Sequence, residues 1–253
     1  MCHPTVPNAY MTCYHFSNGG LVRERICREV ANDDWKLFNQ MLINTPKGND
    51  GNIAVHFDEM EYIPKAKGSL RWNDNITEQT VDALHGLKKF DEPRYEARAV
   101  IEGQLMHHVA IINNAGFRVT PNTKIIVTGE CSNNATILQI VADVFNGCVY
   151  RHEAPADPCL IGAAYRARYA FYEYREVDCN CVRCKTRRGR QPQLSYTEFI
   201  QQTPNYLKLV AEPTANCEKI YVPLMLRCTI MQQQLADMNS FNDTHTYGTL
   251  RPL

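Results

Sequence analysis

The 253-residue sequence has no excess of charge of either sign, with 27 Lys plus Arg against 27 Asp plus Glu. That balance removes the global field that would recruit nucleic acid or an acidic membrane, so partners must be read from local sites. Nowhere do eighteen apolar residues run together, which leaves no candidate membrane helix. Met1-Cys2-His3-Pro4 lacks the basic and apolar regions of a secretory leader. A disulfide framework is missing too. The 11 cysteines are odd in number, scattered and mostly set in apolar segments such as Asn146-Gly147-Cys148-Val149-Tyr150, which suits free thiols in a reducing compartment. A cytoplasmic protein is expected.

What the chain does have is core. With 44% hydrophobic residues it can bury a large single domain. Tyr10 to Phe16 reads as a strand, and Asn18-Gly19-Gly20 turns into a helix carrying Leu21, Val22, Ile26 and Val30. A second helix starts at an Asn32 or Asp33 cap, sets Trp35, Phe38, Met41 and Leu42 on one side, and stops at Pro46. After a polar loop, Ile53 to Phe57 alternates like a strand. Residues Lys65 to Pro93 lose the pattern and read as an irregular surface excursion. Arg94 to Asn114 is a long amphipathic helix ending at Asn114-Ala115-Gly116. Ile125–Thr128, Asn134–Phe145 and Val149–Arg151 make a β-α-β unit, and Asp157 caps a helix to about Tyr174. Val177 to Pro192 reads as an inserted loop, Cys217 to Met238 as a last helix bent or begun at Pro223, and 239–253 as a polar, frayed tail. The domain core is expected over about 8–174 plus 217–238.

The segment most suggestive of chemistry is Lys124-Ile125-Ile126-Val127-Thr128-Gly129-Glu130-Cys131-Ser132-Asn133-Asn134. It is an apolar β run that breaks at a glycine and enters a helix, a geometry that presents backbone N–H groups to a phosphate or nucleotide. Gly129 permits close approach and Asn134 can cap the helix and bond a ligand, although a plain strand-to-helix turn would use the same residues. Glu130 places an anion where an anion should bind.

Three blocks carry a resemblance: Arg98-Ala99-Val100-Ile101-Glu102-Gly103-Gln104; Lys124 to Gln139 with Ala142-Asp143-Val144-Phe145; and Cys159-Leu160-Ile161-Gly162-Ala163-Ala164-Tyr165-Arg166-Ala167. In order and spacing the chain resembles the C-terminal half of an FGGY carbohydrate kinase, closest to the eukaryotic xylulose kinases. The resemblance implies an α/β, actin-like (ribonuclease H-like) ATPase domain and ATP-dependent phosphorylation of D-xylulose to xylulose 5-phosphate, with Mg²⁺ carried by the nucleotide. It also implies that the sugar pocket and the carboxylate base belong to an N-terminal half not matched here, so no catalytic residue is assigned and the chain alone is expected to be inactive. Its partners would be the nucleotide and that half, or a surrogate. A face that packs on the other half would expose apolar surface, which predicts self-association.

By the same resemblance, Trp35 lies against adenine, Gly129 and Asn134 contact nucleotide, and Glu130 stands where the family has a second glycine. The bland alternatives are a core aromatic at Trp35 and a harmless solvated carboxylate at Glu130. A non-catalytic kinase-like interaction protein that has lost ATP is the competing class. Glu102 reads as a structural partner for Arg98 four residues back, and Gly162-Ala163-Ala164 as a helix face small enough for close packing on the sheet, the expected use, or for a place beside the nucleotide. Cys179, Cys181 and Cys184 offer three thiolates with no fourth ligand in the adjacent basic run; an unliganded loop is expected, the alternative being zinc completed in space by His152, Cys159 or Cys217. His107-His108 diverge by about 100° on their helix, which rules against joint metal binding from one face.

Overall fold

The computed structural model describes residues 1–3, 5–6, 8–73, 89–120, 122–154, 157–171 and 194–246, with side chains to residue 240. The chain forms two compact units. The smaller comprises Met1–Tyr14 and Arg151–Lys208, the larger His15–Tyr150 and Leu209–Leu253.

The larger unit begins with helix α1 (Gly20–Ala31), ended by Asn32 in the left-handed conformation. Helix α2 (Trp35–Asn44) starts one residue later than the sequence suggested. Its cap is Asp34, whose carboxylate accepts from the N–H groups of Lys36 (2.8 Å) and Leu37 (3.1 Å). Phe38 and Leu42 fill the core beneath it, while Trp35 stays 46% exposed.

Strand β1 (Ile53–Tyr62) pairs antiparallel with β2 (Lys65–Trp72) in the register Ile53–Trp72, Val55–Leu70, Phe57–Gly68, with a shift between Phe57 and Glu61. The expectation of irregular structure from Lys65 fails here for a physical reason. Core-facing alternation is present at Ala66, Gly68 and Leu70, but two of those residues are too small to register as apolar positions. Ala66 is fully buried. A Cβ on Gly68, which has φ +129°, would come within 3.2 Å of the Leu235 side chain.

Helix α3 (Pro93–Asn114) lies at the centre of this unit, packed on β1, α1, α2, helix α4 (Ala135–Phe145) and the final helix. Being covered on several sides, it buries Glu96, Arg98, Glu102 and His107 as well as its apolar stripe. Gly103 is where it meets the sheet most closely: a Cβ there would stand 2.2 Å from the carbonyl oxygen of Ala54. Arg98 Nε donates to Glu102 Oε1 (2.7 Å), which also accepts from the Tyr221 hydroxyl (2.7 Å) and the Gly48 N–H (3.2 Å). Burial pushes the Glu102 carboxyl up, opposed by Arg98 and the other donors, and it pushes the Tyr221 phenol up so that the hydroxyl keeps its proton. Glu102 is thus the structural partner of Arg98 that the spacing implied.

Strands β3 (Ile125–Val127), β4 (Val149–His152) and β5 (Leu207–Ala211) form a sheet in that order. In the smaller unit, Asp157 caps helix α5 (Pro158–Tyr169) by accepting from Cys159 N–H and Leu160 N–H, and Ser195 begins the short helix α6 (Tyr196–Gln201) with a capping box to Glu198. Tyr169 packs on Tyr196 and Phe199. Gly162, Ala163 and Ala164 do not serve close packing: they are exposed, and a Cβ on Gly162 would meet nothing within 4 Å, because the helix contacts α6 through Tyr165 and Tyr169 further along.

Two more expectations are corrected. Tyr10 to Phe16 forms no strand; the segment makes only an isolated bridge from Tyr10 to Cys2, and without a neighbouring ladder Met11, Thr12 and Cys13 stay exposed. The last helix, α7 (Cys217–Thr246), runs past Met238 into the supposed tail. Asn239 holds it there, donating to Lys67 O (2.9 Å) and accepting from Lys67 N–H (3.2 Å), so that it satisfies backbone groups of β2. Residues 247–253 and the cysteine loop at 177–192, with Cys179, Cys181 and Cys184, lie outside the described residues. The eight described cysteines are all free, and no described helix is long and apolar enough to cross a membrane.

Candidate nucleotide cleft

Three local structures in the larger unit converge on one cleft of about 230 Å³. The first is the end of β3, where Gly129 adopts φ +78°, ψ −168°, a backbone state essentially closed to other residues. Ser132 secures the turn by returning its N–H (3.0 Å) and hydroxyl (2.6 Å) to the Gly129 carbonyl. Glu130 to Asn133 then form one 3₁₀ turn, and Asn134 caps α4 by accepting from the Ile137 N–H (3.1 Å). Its side-chain NH₂ keeps no partner among the described residues. The second structure is the first turn of α2, where the Asp34 cap leaves the Trp35 indole standing edge-on to Phe38 at 5.3 Å. The third is the Gly19-Gly20 entry to α1.

Trp35, Glu130 and Asn134 all line this cleft, with Gly20, Arg23 and Glu24 on the side of α1. Cys131 and Ile137 complete it. Gly129 precedes the wall without lining it; a Cβ there would meet nothing within 4 Å, so its glycine requirement is conformational rather than steric. Arg23 is held in place by Gln104 of α3, whose Oε1 accepts from Arg23 Nη1 (2.9 Å) while its Nε2 donates to the carbonyls of Asn18 and Gly19, each at 3.0 Å.

The wall can therefore offer an aromatic face, an amide donor, one guanidinium and two exposed carboxylates, Glu24 and Glu130. That set fits the base and sugar end of a nucleotide better than its phosphates. Among the described residues no group of three or more His, Cys, Asp or Glu is placed to hold a metal ion. Sequence reasoning overlooked Gly20, Arg23 and Glu24. The glycine pair before α1 was a usable signal; Arg23 and Glu24, polar residues on a helix surface, carried none.

A strand-helix-strand segment from β3 through α4 to β4, with a cleft at the carboxyl end of β3, fits an actin-like α/β fold. Comparison with known proteins makes this specific. Residues 16–171 match the C-terminal domain of the FGGY family of carbohydrate kinases. The chain is 33% identical over 234 residues to xylulose kinase of Mus musculus, covering 92% of this chain and 37% of that one. For xylulose kinase of Rattus norvegicus the figures are 32%, 92% and 38%. The fold resembles the xylulose kinases of Rhodospirillum rubrum (TM-score 0.58, 14% identity, 88% of this chain and 39% of that one) and Lactobacillus acidophilus (TM-score 0.58, 17% identity, 87% and 39%). The chain belongs to the FGGY family of carbohydrate kinases, where it corresponds to the C-terminal domain, and it spans well under half the length of these relatives.

Proposed function

We propose that this chain is the nucleotide-binding portion of an ATP-dependent D-xylulose kinase and transfers no phosphate by itself. The observation that carries the reading is the convergence of Trp35, Glu130 and Asn134 on one cleft although they come from three separate stretches of sequence. Trp35 stacks on adenine, the Asn134 amide donates to base or ribose, Gly129 shapes the turn, and the polyphosphate leaves toward solvent with its Mg²⁺. Phosphoryl transfer needs the acceptor hydroxyl, its base and the metal-bound phosphates in one closed cleft. By resemblance the first two belong to a separate sugar-binding half, the proposed partner. Exposed Val222, Leu226 and Ile230, four residues apart on α7, suit either such a partner or self-association in its absence, in a reducing cytoplasm.

The second reading, a non-catalytic interaction protein, draws on the two carboxylates of the wall. Calorimetry with Mg-ATP on the wild type, Glu130→Gly and Glu130→Gln separates them. A carboxylate about 4 Å from a phosphate oxygen costs about 1 kcal/mol under water-like screening, which suits an exposed Glu130, and corresponds to about a fivefold gain in affinity on its removal. Gains of that order in both variants support the kinase lobe. No heat from any of the three proteins overturns it in favour of the interaction protein.

A further inference from the structure

The larger unit holds a second, much smaller cavity of about 10 Å³. It is lined by His56 of β1 and by His107 and His108 of α3, together with Asn18, Gln104 and Gln232. The polar groups around it can be accounted for one by one. Asn18 is saturated: its amide NH₂ donates to Glu59 O and Glu61 Oε2, each at 3.0 Å, and its Oδ1 accepts from Glu59 N–H at 2.9 Å. Gln104 is committed to Arg23, Asn18 and Gly19. Gln232 donates through Nε2 to Cys228 Sγ (3.2 Å) and turns Oε1 to His107 Nδ1 (3.0 Å). His108 is half-buried and lies against the Phe16 ring, centroids 4.0 Å apart; what remains fully buried is one nitrogen on each of the other two imidazoles. His56 Nε2 and His107 Nε2 are buried with no partner, on side chains only 5% and 4% exposed.

The bonds already made dictate which of these nitrogens carries a proton. Gln232 Oε1 only accepts, so His107 Nδ1 is the protonated nitrogen of a neutral ring and its Nε2 is a bare acceptor. At His56 the Ser69 hydroxyl lies 3.0 Å from Nδ1; with the hydroxyl as donor, the ring proton sits on Nε2. One orphan is a donor and the other an acceptor. Both residues line the same cavity, and no direct bond joins the two atoms.

We propose that one water molecule occupies this cavity, accepting from His56 Nε2–H and donating to His107 Nε2. The volume admits one water and no more, and two polar partners are the minimum that hold a buried water. Two buried ring nitrogens left bare would be costly. The water completes a polar chain from Ser69 on β2 through His56, His107 and Gln232 to Cys228 on α7. It ties the hairpin, α3 and the last helix together directly behind the Asn18-Gly19 turn that leads into the candidate cleft. The inference does not depend on what that cleft binds.

The test uses the intact chain at neutral pH. A high-resolution crystal structure should show a single isolated solvent peak within hydrogen-bonding distance of both Nε2 atoms. Two-bond proton–nitrogen spectra of histidine-labelled protein should show His107 protonated on Nδ1 and His56 on Nε2, with cross-peaks from these rings to a long-lived water. A cavity without density, a direct Nε2–Nε2 contact, or His107 protonated on Nε2 would each overturn the proposal.

Discussion

Acidification from pH 7 to pH 5 is expected to weaken the larger unit through its buried histidines, and His56 allows the size of the effect to be worked out. Burial, with smaller contributions from Arg71 and Arg25, holds its imidazole down at about 3, against about 6.5 for an unfolded histidine. Between those two values the unfolded chain binds a proton that the folded one refuses. The stabilisation is therefore complete above about pH 6.5 and is lost progressively as pH falls from there toward 3. From pH 7 to 5 the unfolded state gains nearly 1.4 pK units of protonation free energy while the folded state gains none, a loss of about 2 kcal/mol at 1.36 kcal/mol per unit. His108, held at about 4 by burial and by neighbouring His107 and Arg23 against Glu61, works in the same direction, as does His107, lowered by burial. Both tryptophans of the chain, Trp35 and Trp72, belong to this unit, so urea unfolding followed by indole fluorescence reports on it. The comparison that isolates His56 is the pH 7 to pH 5 difference in wild type and in His56→Gln, which should be smaller in the variant by about 2 kcal/mol. Equal losses in the two proteins, or an NMR titration of His56 near 6.5 in the folded state, would refute the argument.

Trp35→Ala should cost adenine-nucleotide affinity about 1–3 kcal/mol by calorimetry, with little loss of stability because the indole is half exposed. Glu102→Ala strips Arg98 and Tyr221 of their shared acceptor and should lower unfolding free energy by about 3–5 kcal/mol in urea titrations, since it leaves a buried guanidinium unpaired. Gly103→Ala drives a Cβ onto the Ala54 carbonyl, which should destabilise the unit by at least the ~1–3 kcal/mol typical of overpacking; an unchanged melting temperature would show that α3 can stand further off the sheet.

Most helices were legible because periodicity and end signals agreed: Asn134 and Asp157 cap the helices they precede, and Asp34 does so one residue from the expected start. β2 was not, because Ala66 and Gly68 occupy inward positions where a strand normally announces itself with larger side chains. Helix α7 outran its apolar pattern because a tertiary contact, Asn239 on the backbone of β2, supports polar sequence. In the cleft, the Gly129 turn and the Asn134 cap could be read locally. Trp35 could be placed there only through resemblance, since its spacing with Phe38 and Leu42 marks a core face equally well. Arg23 enters through a bond to Gln104, 81 residues away, and no local pattern encodes that.

These residues do not bear equally on function. Gly129 would be required by its turn whether or not a ligand ever approached, since its φ of +78° excludes side chains and the space above it is open. Asn134 likewise serves α4 as a cap, with or without a nucleotide. Trp35 is less committed: Phe38 and Leu42 fill the core under α2, and the indole, in edge contact with Phe38, is left 46% exposed. Its placement in the same cleft as Asn134 is the part of the site that stability explains least. On the proposed reading Glu130 opposes polyphosphate, so the sharpest discrimination between a working and a lapsed nucleotide lobe lies in the pair: stacking lost with Trp35→Ala, and phosphate affinity gained with Glu130→Gly, in the same titration.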